Sequence, residues 1–227
     1  MLMAVLGDIH GNLPALDAAL EAIDDAGIQT ILNAGDSVVG FPFPGEVVTR
    51  LRERGLPSAQ SEADRQVALF HRKRETFRAR LEAREFARLE WTHLHTPSDG
   101  LEYLRALPRR VDATIEGLDI GLCHGRPSNR KAVLREDDSE EEFRREREVA
   151  NVHIVVCGGG HRPFARLVDE ALFVNPGSLG VPRGDEPLGS FAVVNTEELP
   201  WQVEFRTIPF DADRIDQRLA EFDVPPP

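Results

Sequence analysis

Five side chains able to bind a metal ion each stand at or just past the end of a short apolar run, and this placement constrains the fold more than any other feature of the 227-residue sequence. Asp8 and His10 follow the run 2–6, Asp36 follows 30–34, His124 follows 118–123, and His161 follows 154–157. Short apolar runs bounded by glycine and polar residues read as buried strands. Between the first two runs, Leu13, Leu16, Leu20 and Ile23 recur at helical spacing, and Gly27 closes the helix. Strand, helix and strand within about thirty residues make a βαβ unit, whose two strands are parallel neighbours. In open α/β sheets, sites are built outside the carboxyl ends of the strands, and all five residues fall there.

Three imidazoles and two carboxylates form a mixed nitrogen and oxygen donor set, suited to Mn, Fe, Zn or Ni and not to a thiolate site. Extended backbone sends residues i and i+2 to the same side, which predicts that Asp8 and His10 face one way. The chain has two cysteines, Cys123 and Cys157, and so no disulfide framework. Cys123 precedes His124 on a strand, faces the other way, and reads as a buried small hydrophobe. The triplet Gly158-Gly159-Gly160 lacks a following Gly-Lys-Ser/Thr and is followed by Pro163, which argues against a nucleotide loop. His71, His93, His95 and His153 lie outside these positions and read as surface or packing residues.

Further helices are expected over 46–54, 65–91, 98–107 (with Ser98 as N-cap) and 139–150, and strands over 56–60, 111–115, 118–123, 154–157, 167–168, 172–174 and 190–194. The stretch 65–91 is rich in Arg and Glu, with Phe70, Phe77, Leu81, Phe86 and Leu89 as its apolar side. One domain over 1–227 is expected, with a helical segment at about 65–107 and a frayed tail at about 223–227. A hydrophobic fraction of 41% suffices for a core. The net charge of −12 argues against non-specific nucleic-acid binding through phosphate neutralisation. It leaves room for a small phosphate ester whose charge is met locally by metal ions. No run approaches the roughly 18–20 apolar residues of a membrane helix, and the first residues lack a basic leader. A cytoplasmic protein without membrane partners is the expectation.

Asp8-Ile9-His10-Gly11-Asn12, Gly35-Asp36-Ser37-Val38-Val39-Gly40, Cys123-His124-Gly125, Gly160-His161-Arg162-Pro163 and Asn175-Pro176-Gly177-Ser178 resemble, in order, the blocks of the calcineurin-like metallophosphoesterases, and most closely their small bacterial branch. The resemblance implies an α/β, four-layer αββα sandwich of two mixed β-sheets flanked by helices. It also implies a site for one or two divalent ions. Asp8, His10, Asp36 and His161 would hold the first. Asp36 would bridge to a second, held also by His124, an Asn and a further His, and a metal-bound hydroxide would attack phosphorus in line. Asn12 and Arg162 lie beside the site as possible phosphate contacts, though Asn12 could equally cap the following helix.

Two blocks depart from the family pattern. Ser61-Glu62-Ala63-Asp64 stands where the family has Gly-Asn-His-Asp or Gly-Asn-His-Glu, and Gly159 stands where a ligand His is expected. Glu62 either ligates a weakened second metal or turns outward to solvent or an Arg. Ala63 removes a leaving-group acid worth about 10²–10⁴-fold, which favours phosphodiesters or esters with good leaving groups. The resemblance thus implies a metal-dependent phosphoesterase acting on a small phosphate ester, a phosphodiesterase rather than a broad phosphatase, with manganese among the suitable ions. A one-metal hydrolase, and a catalytically degenerate scaffold or binding protein like the retromer subunit of this fold, stand as alternatives. The Arg-rich stretch either covers the site or serves homo-oligomerisation.

Overall fold

Alternation along the strands decides the layering. In the computed structural model, which describes residues 1–222 and Val224, the elements in chain order are β1 (Leu2–Leu6), α1 (Leu13–Asp25), β2 (Thr30–Asn33), α2 (Pro44–Glu53), α3 (Glu62–Arg80), α4 (Ala83–Leu94), α5 (Ser98–Ala106), β3 (Arg110–Ile115), β4 (Leu118–His124), α6 (Glu140–Ala150), β5 (Ile154–Gly158), β6 (Phe164–Val168), β7 (Ala171–Asn175), β8 (Leu188–Asn195), β9 (Gln202–Pro209) and α7 (Ala212–Glu221). They build two sheets, ordered β2-β1-β8-β9 and β3-β4-β5-β7-β6. Met3 and Val5 of β1 enter the core between the sheets, while Ala4 and Leu6 pack on α1 and α2. Likewise Ile154 and Val156 of β5 face the other sheet, and Val155 and Cys157 meet Phe143 of α6. A side-chain period of two thus feeds two cores from each strand. With both faces covered, such strands must read as continuous apolar runs. The result is the four-layer sandwich of two mixed sheets.

Strands β1 and β2 are parallel in register Met3↔Thr30. Strands β4, β5 and β7 are parallel in registers Ile120↔Ile154 and Ile154↔Leu172. Two cross-sheet hydrogen bonds hold the carboxyl ends of both sets together: His124 Nδ1 to the Ala34 carbonyl at 2.9 Å, and Gly159 N–H to Asp8 Oδ2 at 2.9 Å.

The helical stretch differs from its sequence reading. It is two helices, broken where Leu81 is extended and Glu82 opens a capping box with Glu85. The Glu-x-x-Glu signal was present but hidden among like residues. Helices α3, α4 and α5 bury Val67, Phe70, Phe77, Phe86, Leu89 and Leu104 against one another and against Val38 and Val48. Residues 56–60 do not form a strand: they meet β2 through the single bridge Asn33↔Ser58, because Pro57 offers no donor and the chain turns at Ser61 into α3. Ser98 is the first residue of α5 and Pro97 its cap, without a side-chain bond. Strand β9 and helix α7 were not foreseen. Strand β9 lies at a sheet edge, and residues of both exposed faces weaken its alternation. The tail expected at 223–227 lies, apart from Val224, outside the described residues. Among the described residues no helix is long and apolar enough to cross a membrane.

The loop after β7 packs directly on the loop after β1. Gly180 N–H donates to the Asp8 carbonyl at 2.9 Å, and its own carbonyl accepts from Asn12 Nδ2 at 2.9 Å. A Cβ at Gly180 would lie 1.9 Å from the Ile9 carbonyl oxygen, so only glycine fits without moving the backbone. Gly180→Ala should cost about 3 kcal/mol or more in denaturant unfolding. Gly27→Ala, where a left-handed φ of 69° faces open space, should cost only about 1–2 kcal/mol.

Candidate metal centre

Four of the five candidate ligands stand in left-handed backbone: φ is 51° at Asp8, 55° at His10, 58° at Asp36 and 55° at His161. The same-side placement of Asp8 and His10 therefore comes from two left-handed residues and not from extended chain. Left-handed non-glycine residues cost about 1–2 kcal/mol each and gather where a site demands them. The other such residues among those described, Glu116, Asn151 and Asp169, sit in ordinary turn or cap positions. Loop-to-loop bonds impose the strain: His10 N–H donates to the Asp36 carbonyl at 2.9 Å, and Asp8 N–H to the Gly35 carbonyl at 2.9 Å.

The five donors converge. Oxygen or nitrogen atoms of Asp8, His10 and His161 lie within 4.8 Å of one another, as do those of Asp8, Asp36 and His124. His161 Nε2 is 3.5 Å from Asp8 Oδ1 and 3.0 Å from His10 Nε2. Asp36 Oδ2 lies between the two imidazole sets, 3.8 Å from His10 Nε2 and 3.9 Å from His124 Nε2.

The surrounding bonds aim these atoms. A carbonyl can only accept, so His10 Nδ1–H donates to Val39 at 2.8 Å and His124 Nδ1–H to Ala34 at 2.9 Å. Each ring then turns Nε2 into the site, in the arrangement that orients metal-binding imidazoles. Asp8 is wholly buried, with Oδ2 held by Gly159 N–H and Oδ1 without any hydrogen-bond partner. An orphaned, buried carboxylate oxygen among imidazole nitrogens is the feature a divalent cation satisfies, so these residues fit one.

Four residues of the quoted blocks support the centre in ways the sequence does not assign. Ser61 Oγ donates to Asp36 Oδ1 at 3.2 Å. Asp64 is fully buried and accepts from the backbone N–H groups of Ser37 (2.9 Å), Asp36 (3.1 Å) and Ser61 (3.2 Å). One capping box thus starts α3 and clamps the Asp36 loop. Ser178 Oγ donates to the Asp8 carbonyl at 2.9 Å, and Asn175 Nδ2 to the Gly159 carbonyl at 2.8 Å. Their signal was a polar cluster directly after an apolar run, which buries only when it has backbone to serve.

The departures from the family pattern now have places. Glu62 joins neither donor group: its Oε2 lies 2.8 Å from Arg130 Nη2 as an ion pair, without the alignment of a hydrogen bond. A Cβ at Gly159 would lie 3.4 Å from both His124 Nε2 and Val133 Cγ2, on a left-handed backbone with φ of 87°, so the position of the expected imidazole is a glycine packed against His124 and Val133. Asn12 is buried, its Oδ1 capping α1 from Ala15 N–H at 3.0 Å and its Nδ2 bound to Gly180, which is the capping alternative. Arg162 is exposed on a groove with Gly159, Gly160 and Val133. Cys123 is buried, and burial pushes its thiol pKa up to about 12, as expected of an inert packing residue.

Charge coupling shifts the titrating groups. Burial works to raise the Asp8 carboxyl, but His161, His124 and His10 and the Gly159 N–H bring it below the ordinary value. Burial and the neighbouring Asp36 charge raise Asp64. His161 is raised by Asp8, and His124 is raised by Asp36, Asp8 and Asp64 against its own burial. A metal must displace the protons that His124 and His161 hold above the usual imidazole range of about 6.5. In the metal-free protein, raised imidazoles stabilise the fold below their unfolded pKa, and this is lost as pH rises through the folded value. The gain in Tm on adding Mn should therefore grow from about pH 6 to about pH 8, with proton release on binding measurable by calorimetry in buffers of different ionisation heat.

Among known proteins, the profile of the calcineurin-like phosphoesterase superfamily domain matches residues 1–199. The uncharacterized protein MJ0912 of Methanocaldococcus jannaschii is 24% identical, the match covering 99% of this chain and 94% of that protein. The crystal structure of the hypothetical protein PH1004 of Pyrococcus horikoshii OT3 superposes with a TM-score of 0.85 at 25% identity, over 99% of this chain and 94% of that one. A metallophosphoesterase of Sphaerobacter thermophilus gives a TM-score of 0.76 at 22% identity, over 99% and 95% of the two chains, a likeness of fold.

Proposed function

The chain belongs to the calcineurin-like phosphoesterase superfamily, and on that premise we propose that it is a divalent-metal-dependent phosphoester hydrolase with one strong and one weakened metal position. The observation that carries this reading is the convergence of Asp8, His10, Asp36, His124 and His161 around an unpartnered, buried Asp8 oxygen. Asp8, His10, Asp36 and His161 would hold the first ion. Asp36 and His124 would hold the second, with Asp8 within reach and without Glu62, which is engaged with Arg130. Bound there, divalent ions supply Lewis-acid polarisation of the phosphoryl oxygens and activation of water.

The protein's own groups orient and position. Val39 and Ala34 carbonyls fix the rings of His10 and His124, and Ser61 fixes the Asp36 carboxylate. Arg162, beside Gly160, would contact phosphate oxygens from the exposed side. Ala63 lines the cleft next to Asp36 with a methyl group, where the family resemblance places a leaving-group acid. Unassisted departure favours good leaving groups, hence aryl diesters or aryl monoesters over alkyl ones. A scaffold role gains support from Gly159 and from the Glu62–Arg130 pair, both of which thin the second position.

Hydrolysis of paired aryl mono- and diesters with Mn, Zn or Ni tests the proposal. Turnover should require added metal, and Asp36→Ala should lower it by at least the 10–100-fold that changes merely supporting a ligand produce. Metal-independent turnover, or a variant as active as the parent, contradicts it. Metal binding with no turnover of either ester favours the scaffold.

A further inference from the structure

A cleft of about 660 Å³ opens from the metal centre, with His10, Asp36 and His161 at one end. Among the described residues its remaining walls are largely carbon: Val39 and Phe41 from the loop after β2, Ala63 at the start of α3, Val181 from the loop after β7, Leu219 from α7 and Val224 beyond it. Leu219 is among the few large apolar side chains exposed on the described surface, at 40%, and it faces this cleft. The wall it forms is fixed in place. Ile215 of the same helix is buried in the core under β1 and β8, and Arg218 Nη2 pairs with Glu46 Oε1 of α2 at 2.6 Å. Among the described residues, Arg88 is the charged side chain on the walls outside the metal centre.

We infer that this cleft binds the organic group of the substrate and selects an apolar one, so that the substrates are aryl phosphoesters, or diesters of an aryl leaving group whose second substituent is alkyl, in preference to sugar, glycerol or nucleoside esters. The inference rests on the phosphoesterase reading for what occupies the metal end. Its own warrant is the lining. The volume falls in the range of small-molecule sites, about 300–1,000 Å³. Phosphate at the metals places its ester substituent against Val39, Phe41, Val181 and Leu219, where each buried methylene is favourable. A polyhydroxylated substituent would surrender its water to walls that return few hydrogen bonds. Ala63 acts twice in this account, removing a proton donor and a polar group from the same wall.

Alkylphosphonates, which cannot be hydrolysed, separate binding from turnover. Calorimetric titration of the manganese-loaded protein with methyl-, propyl-, hexyl- and phenylphosphonate should show Kd tightening by about threefold to fourfold per methylene until the cleft is filled. The 2,3-dihydroxypropyl analogue should bind more weakly than propyl. Leu219→Ser and Val39→Ser should each shrink the increment per methylene, and Leu219 is exposed enough that its variant should fold. A flat series, a dihydroxypropyl analogue as tight as propyl, or an increment unchanged in both variants overturns the inference. Phosphoester turnover is scored on the same protein. A chain-length gradient without turnover leaves the apolar cleft standing and removes the hydrolase reading, whereas turnover with a flat gradient does the reverse.

Discussion

The molecule is organised around one buried carboxylate. Asp8 sits at zero exposure, holds the loop of the opposite sheet through Gly159, and leaves its second oxygen without a hydrogen bond, 3.5 Å from His161 Nε2. A charge so placed needs compensation. Without metal it comes from imidazoles that hold their protons above the ordinary range, and with metal it would come from the cation. The two arrangements would compete for the same nitrogens, and on this account metal binding at the centre depends on pH. The fold's contribution is to press five loops from two sheets against that single point.

The left-handed residues show how that pressure is sustained. Asp8, His10, Asp36 and His161 hold unfavourable backbone because a strand fixes the start of each loop and a helix or strand its end, and because Asp64, Asn175 and Ser178 tie the loop backbones from behind. Such buried polar clamps are stabilising only when every member is satisfied. Asp64 illustrates the economy of the arrangement: its carboxylate caps a helix and fixes a candidate ligand's loop with the same two oxygens.

Much of this was legible in the sequence, and the residues explain why. Strands β1, β2, β4 and β5 are covered on both faces towards their carboxyl ends, so apolar residues dominate there (Asp119 of β4 is exposed near its start), and the ends are marked by glycine and ligand residues. That position placed Asp8, Asp36, His124 and His161 at the sheet edge, and the family resemblance implied that they share one site. What failed to show was either local or mutual. The break at Leu81 hid in a run where Glu and Arg occur at every helical phase, and the edge strand β9 carries too little burial to alternate. The direction of Glu62 depended on Arg130, distant in sequence and brought near by the fold. The cleft walls come from loops, from α3 and α4, and from α7, whose one apolar pair at helical spacing, Ile215 and Leu219, is short and set among charged residues.

The central claim is that Asp8, His10, Asp36 and His161 share a divalent ion. Crystals grown with manganese and recorded on both sides of its absorption edge test it most directly. An anomalous peak within bonding distance of those four side chains, with any second peak weaker and nearer His124, is the expected result. A map with no anomalous density among them at saturating manganese would contradict the account.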